Sequence, residues 1–447
     1  MDKNVAIISL GCSKNLVDSE IIMGILNKNG YTLTNDASEA NIIVVNTCGF
    51  IDSAKEESID TIIEVGEYKK NGKCKFLIVC GCLGERYKDE LIKEMPEIDA
   101  VIGTGNITEI IKVINELSNQ KKIIKVGQTN YLPNENEPRI ISTQKPTAYV
   151  KIAEGCDNFC TYCIIPKLRG RYRSRKIESI EKEVKELARQ GIKEIILIAQ
   201  DTTRYGIDIY DEYRLPELLD RLNKIEEIEW IRVLYMYPDA FTDELIESIR
   251  ENEKVVNYVD IPIQHINNNI LKRMNRRATK EDILKLINKL RDNIPNIIIR
   301  TTLIVGFPGE TEEDFNELYD FIKDKEFDRL GVFTYSKEEG TPAAKFKDQI
   351  EESIKKERQN KIMEIQRKIS YEKNLQKLDK QYKVLLEEKI EDDNVYVGRT
   401  YMDVPEIDGV VYVHSDKDLE LGTFINVKIV DALEYDLIGE IIDEFSQ

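Results

Sequence analysis

The run Cys156-Asp157-Asn158-Phe159-Cys160-Thr161-Tyr162-Cys163 places three thiols within eight residues. Thiolates are soft ligands, and a closed zinc or iron–sulfur site normally takes four cysteine or histidine groups. No further cysteine follows the run, and the next histidine is His265. Zinc is the competing reading, but it would want a fourth ligand at short range. The spacing therefore favours an iron–sulfur cluster with one iron left open. An open iron can act as a Lewis acid or as an electron donor to a chelating ligand.

A second set of thiols is dispersed. Cys12, Cys48 and Cys82 each lie just beyond a strand-like apolar run: Val5–Leu10, Asn41–Val45 and Phe76–Cys80. In an open α/β sheet the loops at the carboxyl ends of the strands converge on one crevice. Gly11, Gly49 and Gly81 beside these cysteines would let the backbone approach a bulky group closely. Free cysteines are often simply buried, which suffices for one cysteine. Three at equivalent strand ends favour a shared metal site. Cys74 and Cys80 lack the pattern and read as structural.

Arg169, Arg171, Arg173 and Arg175 follow the first run within seven residues. They could grip carboxylates of a cofactor or substrate through paired hydrogen bonds. They could equally pair with acids elsewhere in the chain.

The elements that must position these groups can be traced along 447 residues, enough for two to four domains. Strand-like runs alternate with helical patterns (Val17–Leu26, Ser53–Tyr68) through about residue 120, as far as Ala100–Ile102. This implies a parallel α/β sheet. Gln128–Pro146 is polar, with three prolines, and has the composition of a linker. Strands are then expected at Ala148–Ala153, Glu194–Ala199, Ile231–Tyr235, Val255–Ile261, Ile297–Val305 and Arg329–Phe333. Amphipathic helices such as Ile177–Gln190 lie between them, a pattern that suggests a partial (β/α)6 barrel. The cysteine run falls just past the first of these strands, where barrel active sites are built. The same rule nominates Gln200 and Asp201 after the second strand and Gln264 after the fourth. The turn Gly306–Glu310 follows the fifth, and Thr311 with Asp314 reads as a capping box. A charged helix over Ile350–Asp379 leads to short strands with turn signals, the pattern of a small antiparallel β-barrel. The expected domains are 1–120, a linker at 121–145, 146–372 and 375–447.

No apolar run reaches membrane-spanning length, and the first residues lack the layout of a signal peptide. The expectation is a cytoplasmic enzyme whose thiols stay reduced. The net charge is −18, and residues 377–447 hold 18 Asp plus Glu against 7 Lys plus Arg, or −11. Such a module would repel a nucleic-acid backbone and attract a basic protein. His265 and His414 are given no role.

The segment Ile152–Pro166 around the cysteine run resembles the radical S-adenosylmethionine core of the methylthiotransferases. Gly11-Cys12, Asn46-Thr47-Cys48 and Gly81-Cys82-Leu83 are similar to that family's N-terminal cluster domain. Ile304–Thr311 is similar to a further motif of the family, and the terminal barrel to its TRAM domain. The resemblance covers nearly the whole chain. It implies two 4Fe-4S clusters, on Cys156/Cys160/Cys163 and on Cys12/Cys48/Cys82. The first would bind and cleave S-adenosylmethionine to a 5′-deoxyadenosyl radical, and the second would present the sulfur that is methylated and transferred. Tyr162, Gln200, Gln264 and Arg300 are the candidate contacts to S-adenosylmethionine. Ser9–Glu20, Arg171–Arg175, Asp260–His265 and Pro405–Val413 resemble the branch that modifies an aspartate of the S-twelve protein of the small ribosomal subunit. The alternative is the branch that modifies adenosine in tRNA. The chosen branch implies a basic protein substrate, an external electron donor and a sulfur source. A monomer is expected, without membrane or direct tRNA contact.

Overall fold

The computed structural model describes residues 3–119, 122–127, 129–143, 146–390 and 394–442. The first unit is built on β1 (Asn4–Ser9), β2 (Thr32–Leu33), β3 (Ile42–Thr47), β4 (Phe76–Gly81), β5 (Ala100–Ile102) and β6 (Ile123–Lys125). They form one parallel sheet in the order β2-β1-β3-β4-β5-β6. Every residue of β3 is buried, because helices cover both faces and the β-branched run Ile42-Ile43-Val44-Val45 packs on each. The strand order reverses between β1 and β3, the position at which a doubly wound sheet opens a crevice at its carboxyl edge. β2 and β6, which the sequence pattern does not announce, are two and three residues long.

The second unit holds β7 (Thr147–Lys151), β10 (Glu194–Ile198), β11 (Trp230–Val233), β12 (Val255–Asp260), β13 (Ile298–Val305) and β14 (Arg329–Thr334) in one parallel sheet that stays open. Two short antiparallel strands, β8 (Ala153–Glu154) and β9 (Arg173–Ser174), bracket the cysteine run. The helix Ile177–Arg189 buries Ile177, Ile180, Val184 and Leu187, four residues on one helical stripe, and stops before Gly191 at φ +92°. Capping boxes Thr279/Asp282 and Thr311/Asp314 open two further helices.

The third unit is a closed barrel of β15 (Gln381–Ile390), β16 (Val395–Arg399), β17 (Val411–His414), β18 (Phe424–Ala432) and β19 (Leu437–Ile441). Four seams are antiparallel, and β17 meets β19 in parallel. It packs beneath the open barrel. Glu194 accepts from Arg232 Nε at 2.9 Å and from Arg399 Nη2 at 2.7 Å, with all three side chains buried. Arg329 pairs with Asp403, and Tyr258 donates to Asp408 at 2.7 Å. Asp403, Asp408 and Glu387 thus serve internal pairs with arginines. The acidic excess of the third unit is therefore only partly available to a partner.

The polar stretch read as a linker is packed in its described residues; 121, 128, 144 and 145 lie outside them. Arg139 reaches Glu20 of the first unit at 2.5 Å, Glu183 of the second at 2.7 Å and the Tyr149 carbonyl at 2.6 Å. Its backbone neighbours Ile140 and Ser142 bond to Glu20 as well. Among the described residues no helix is long and apolar enough to cross a membrane.

Candidate active site

Cys12 caps the helix Ser13–Lys28 directly after β1, and Cys82 begins the helix Cys82–Glu94 directly after β4. Cys48 leaves β3, held by Ser58, whose hydroxyl accepts from its amide and donates to its carbonyl at 3.1 Å. These placements follow from the sheet order: β1, β3 and β4 are adjacent, so their carboxyl ends carry the three cysteines side by side. Gly11 sits at φ +85°, where a Cβ would lie 2.7 Å from Cys48 Cβ. Gly81, at φ +92°, lets the backbone turn sharply from β4 into its helix. Helix N-termini favour anionic sulfur at Cys12 and Cys82.

In the second unit the cysteine run is clasped from two sides. The Cys156 amide donates to the Gly170 carbonyl at 3.2 Å, and Asn158 donates to buried Asp201 at 2.8 Å. Gly155 is left-handed at φ +75°, and a Cβ there would collide with the Arg171 carbonyl. Cys160 Sγ stands 3.2 Å from the Tyr237 hydroxyl, and the Arg276 guanidinium lies 3.7 Å over the Tyr237 ring.

The two sets meet. All six cysteines line one cavity of about 300 Å³, together with Lys14, Asn15, Phe50, Tyr162, Arg169, Gln200, Tyr235, Met236, Tyr237, Pro262, Gln264 and Arg276. A second chamber of about 240 Å³ shares Phe50, Tyr162 and Gln264 with it and is bordered by the half-exposed Phe333. Among the described residues no three His, Cys, Asp or Glu side chains converge as ligands of one ion would. A cubane cluster does not require that, because each thiolate binds a different iron.

The electrostatics of the two sets differ. Burial is the largest influence on Cys12, Cys48, Cys82, Cys156 and Cys163 and opposes ionisation. At Cys12 it is outweighed by Lys14 and Arg169, which hold that thiol below its usual range. Burial pushes Cys48 and Cys156 up to about 12, and it raises Cys82 and Cys163 as well. Neighbouring thiols add to the rise at Cys163, since buried sulfur anions repel one another. A multivalent cationic centre would relieve both penalties, so the donor set fits an iron–sulfur cluster. Three orphaned acceptors fit an organic ligand beside it. Asn158 Oδ1, Gln200 Oε1 and Gln264 Oε1 are buried with no partner among the described residues. Gln200 is oriented by its donation to Glu154 at 2.8 Å, which turns its oxygen the other way. Such acceptors suit an ammonium or hydroxyl group of a ligand.

Of the residues proposed from sequence, Tyr162, Gln200 and Gln264 line the cavity and Arg300 does not. Arg300 pairs with Asp260 at 3.0 Å and Asp408 at 3.5 Å. It lies five residues before the carboxyl end of β13, roughly 16 Å of strand away. Asp201 is consumed in holding Asn158, Thr203 and Arg204. Among the arginines, Arg169 lines the cavity but is neutralised by Asp18 at 3.2 Å and Glu154 at 3.0 Å, beside Lys151. Arg175 pairs with Glu183, and Arg173 donates to the Tyr131 and Arg169 carbonyls. Only Arg171 is largely exposed, and it reaches Asp157. His265 is buried, with Nδ1 accepting from the Asn267 amide, and stands apart from the cavity.

Lys14, Asn15, Phe50, Tyr235, Tyr237 and Arg276 were not legible as site residues. Tyr235 could have been found, because it ends the predicted third strand as Gln200 follows the second. Tyr235 and Gln264 also hold left-handed backbones, at φ +59° and +73°, a costly conformation for non-glycine residues that recurs at active sites.

Models of three families match the chain: the radical SAM superfamily over residues 150–322, the uncharacterized protein family UPF0004 over 4–103 and the TRAM domain over 380–442. The chain is 57% identical over 442 residues to the ribosomal protein uS12 methylthiotransferase RimO of Clostridioides difficile (strain 630), covering 99% of both proteins. The chain belongs to the RimO family. A second member, from Thermoanaerobacter sp. (strain X514), is 55% identical over 98% of this chain and 100% of its own. The radical S-adenosylmethionine methyltransferase TsrM from Kitasatospora setae has a similar fold. Its TM-score is 0.54 at 16% identity, covering 74% of this chain and 72% of that one.

Proposed function

We propose that the chain adds a methylthio group to the β-carbon of an aspartate in ribosomal protein uS12. The observation that carries this reading is the convergence of two three-thiol sets, from two domains, on one cavity. Cys156, Cys160 and Cys163 would hold one 4Fe-4S cluster, and Cys12, Cys48 and Cys82 the other. When bound, these clusters and S-adenosylmethionine supply hydrogen abstraction from an unactivated carbon and delivery of a methylated sulfur. The chain's own residues position these partners. Gln200 and Gln264 offer buried acceptors to the cofactor, and Tyr237 with Arg276 packs against the Cys160 side. Phe50, Tyr162, Met236 and Pro262 give the cavity apolar walls that exclude water. Asp18 joins Lys151 and Arg169 across the two domains, so the two thiol sets keep a fixed relation.

Electrons and sulfur come from external donors, and the enzyme works as a cytoplasmic monomer. The acidic excess left on the third unit after its internal pairs favours a basic protein over a tRNA backbone. Whole-protein mass spectrometry of ribosomes from a deletion strain tests the substrate. The expected result is uS12 lighter by one methylthio group with unaltered tRNA; an unchanged uS12 mass refutes it. The division of labour has its own test. Cys160→Ala should abolish 5′-deoxyadenosine formation by the reduced holoenzyme, whereas Cys82→Ala should depress methylthio transfer far more than deoxyadenosine formation.

A further inference from the structure

Three cations line the cavity: Lys14, Arg169 and Arg276. Arg169 is neutralised by Asp18 and Glu154. Arg276 lies on the barrel side, stacked on Tyr237 beside Cys160 and donating to the Pro262 carbonyl. Lys14 is different. It is 8% exposed, its Nζ sits 3.3 Å over the Tyr235 ring, and among the described residues its one side-chain hydrogen bond is long, 3.5 Å to the Ala199 carbonyl. Among the described residues no carboxylate stands within ion-pair distance of it. A buried ammonium held by a ring face and one carbonyl, with the Cys12 sulfur as its neighbouring anion, lacks the carboxylate partners that balance Arg169.

We infer that Lys14 binds the carboxylate of the acceptor aspartate and makes it a recognition element of the substrate. This rests on the reading of uS12 as substrate. Lys14 is two residues from Cys12, and its side chain spans to the strand ends Ala199 and Tyr235 of the barrel. A carboxylate held there lies between the two thiol sets. The β-carbon of aspartate is bonded directly to its carboxyl carbon, so anchoring that group also fixes the atom to be modified. An asparagine in the same place would leave the ammonium unpaired, which gives the site selectivity by charge.

The test is equilibrium binding of the cluster-loaded enzyme to uS12 and to uS12 with asparagine at the acceptor position. A charge-assisted hydrogen bond predicts about ten- to hundredfold tighter binding of the aspartate form by the wild type. In Lys14→Gln that ratio should fall to about threefold or less, and in Lys14→Arg it should largely persist. Lys14→Met is the second neutral variant should Lys14→Gln lose its iron. A wild-type ratio near one, or a neutral variant that keeps the wild-type ratio, overturns the inference. If Lys14 instead holds the cofactor's carboxylate, the neutral variants bind S-adenosylmethionine more weakly and keep the ratio, which also overturns it. Wild-type enzyme that leaves aspartate-bearing uS12 unmodified sinks the proposed substrate itself. Enzyme that modifies it yet binds both forms equally sinks the role of Lys14 alone.

Discussion

Replacing Glu194 with glutamine should loosen the seam between the open barrel and the terminal barrel. Glu194 is fully buried and accepts from Arg232, Arg399 and Thr147. Glu194→Gln preserves the shape and removes the charge. Arg399 keeps Glu387, but Arg232 is left without a carboxylate, holding only the Tyr401 carbonyl and the face of the Tyr258 ring. Stripping the anion from a buried pair costs about 3–5 kcal/mol, because the remaining charge stays out of water. At an m-value of about 3 kcal/mol/M this moves the urea midpoint down by roughly 1–2 M. The assay is built into the chain. Its single tryptophan, Trp230, is the register partner of Glu194 on the next strand and packs edge-on against Phe424 of the terminal barrel, with ring centroids 4.7 Å apart. Tryptophan emission therefore reports this seam and not the remote N-terminal sheet. Removing a guanidinium as well, in Glu194→Gln/Arg232→Met, should recover part of the loss, since no unpaired charge then remains on that side. A midpoint shift worth less than about 1 kcal/mol would refute the reasoning and mean that Arg232 finds water or another acceptor.

Three further expectations follow from the same physical terms. Burial opposes ionisation of Glu194, but Arg399 and Arg232 outweigh it and hold its carboxyl below the usual range. Its stabilisation is therefore full above about pH 4.3 and is lost as pH falls through the depressed folded value. Acid titration followed by Trp230 emission should show a steep acid limb in the wild type and a flatter one in Glu194→Gln. Arg139→Met removes the only arginine on Glu20 among the described residues, while Glu183 keeps Arg175, and should destabilise the contact of the first two units by about 3–5 kcal/mol. Limited proteolysis would then cut within residues 129–143 of the variant faster than in the wild type, and equal rates would argue against the strap. Gly155→Ala forces a Cβ into the Arg171 carbonyl from a left-handed backbone. Anaerobic reconstitution should then bind roughly half the wild-type iron, because only the Cys156–Cys163 loop is displaced.

The convergence of the six cysteines on one cavity was legible because strand ends in parallel sheets are predictable from apolar runs, and the loops beyond them must converge. Cys80 and Cys74 were separable on the same ground, and Cys80 indeed lies within β4 in the core. Arg300 misled because it is a polar residue on a cavity-forming strand, and the sequence does not say how deep along the strand it points. The charged groups were legible only in part. Asp18 with Lys151, and Glu194 with Arg399, are 133 and 205 residues apart. No local periodicity announces a pair at such separation. For the same reason the acidity of the terminal barrel looked entirely external, although Asp403 and Asp408 face arginines of the neighbouring barrel.

The shared cavity has a kinetic meaning. One molecule confined to about 300 Å³ is present at an effective concentration of about 5 M. A group held on the Cys12 side and one held on the Cys160 side therefore meet without diffusing through solvent. A short-lived partner on either side would be consumed before bulk thiols, at far lower concentration, could intercept it. Placing the two thiol sets on separate domains gives each its own folding environment, and closing both over one volume turns a sequence of encounters into a single local event.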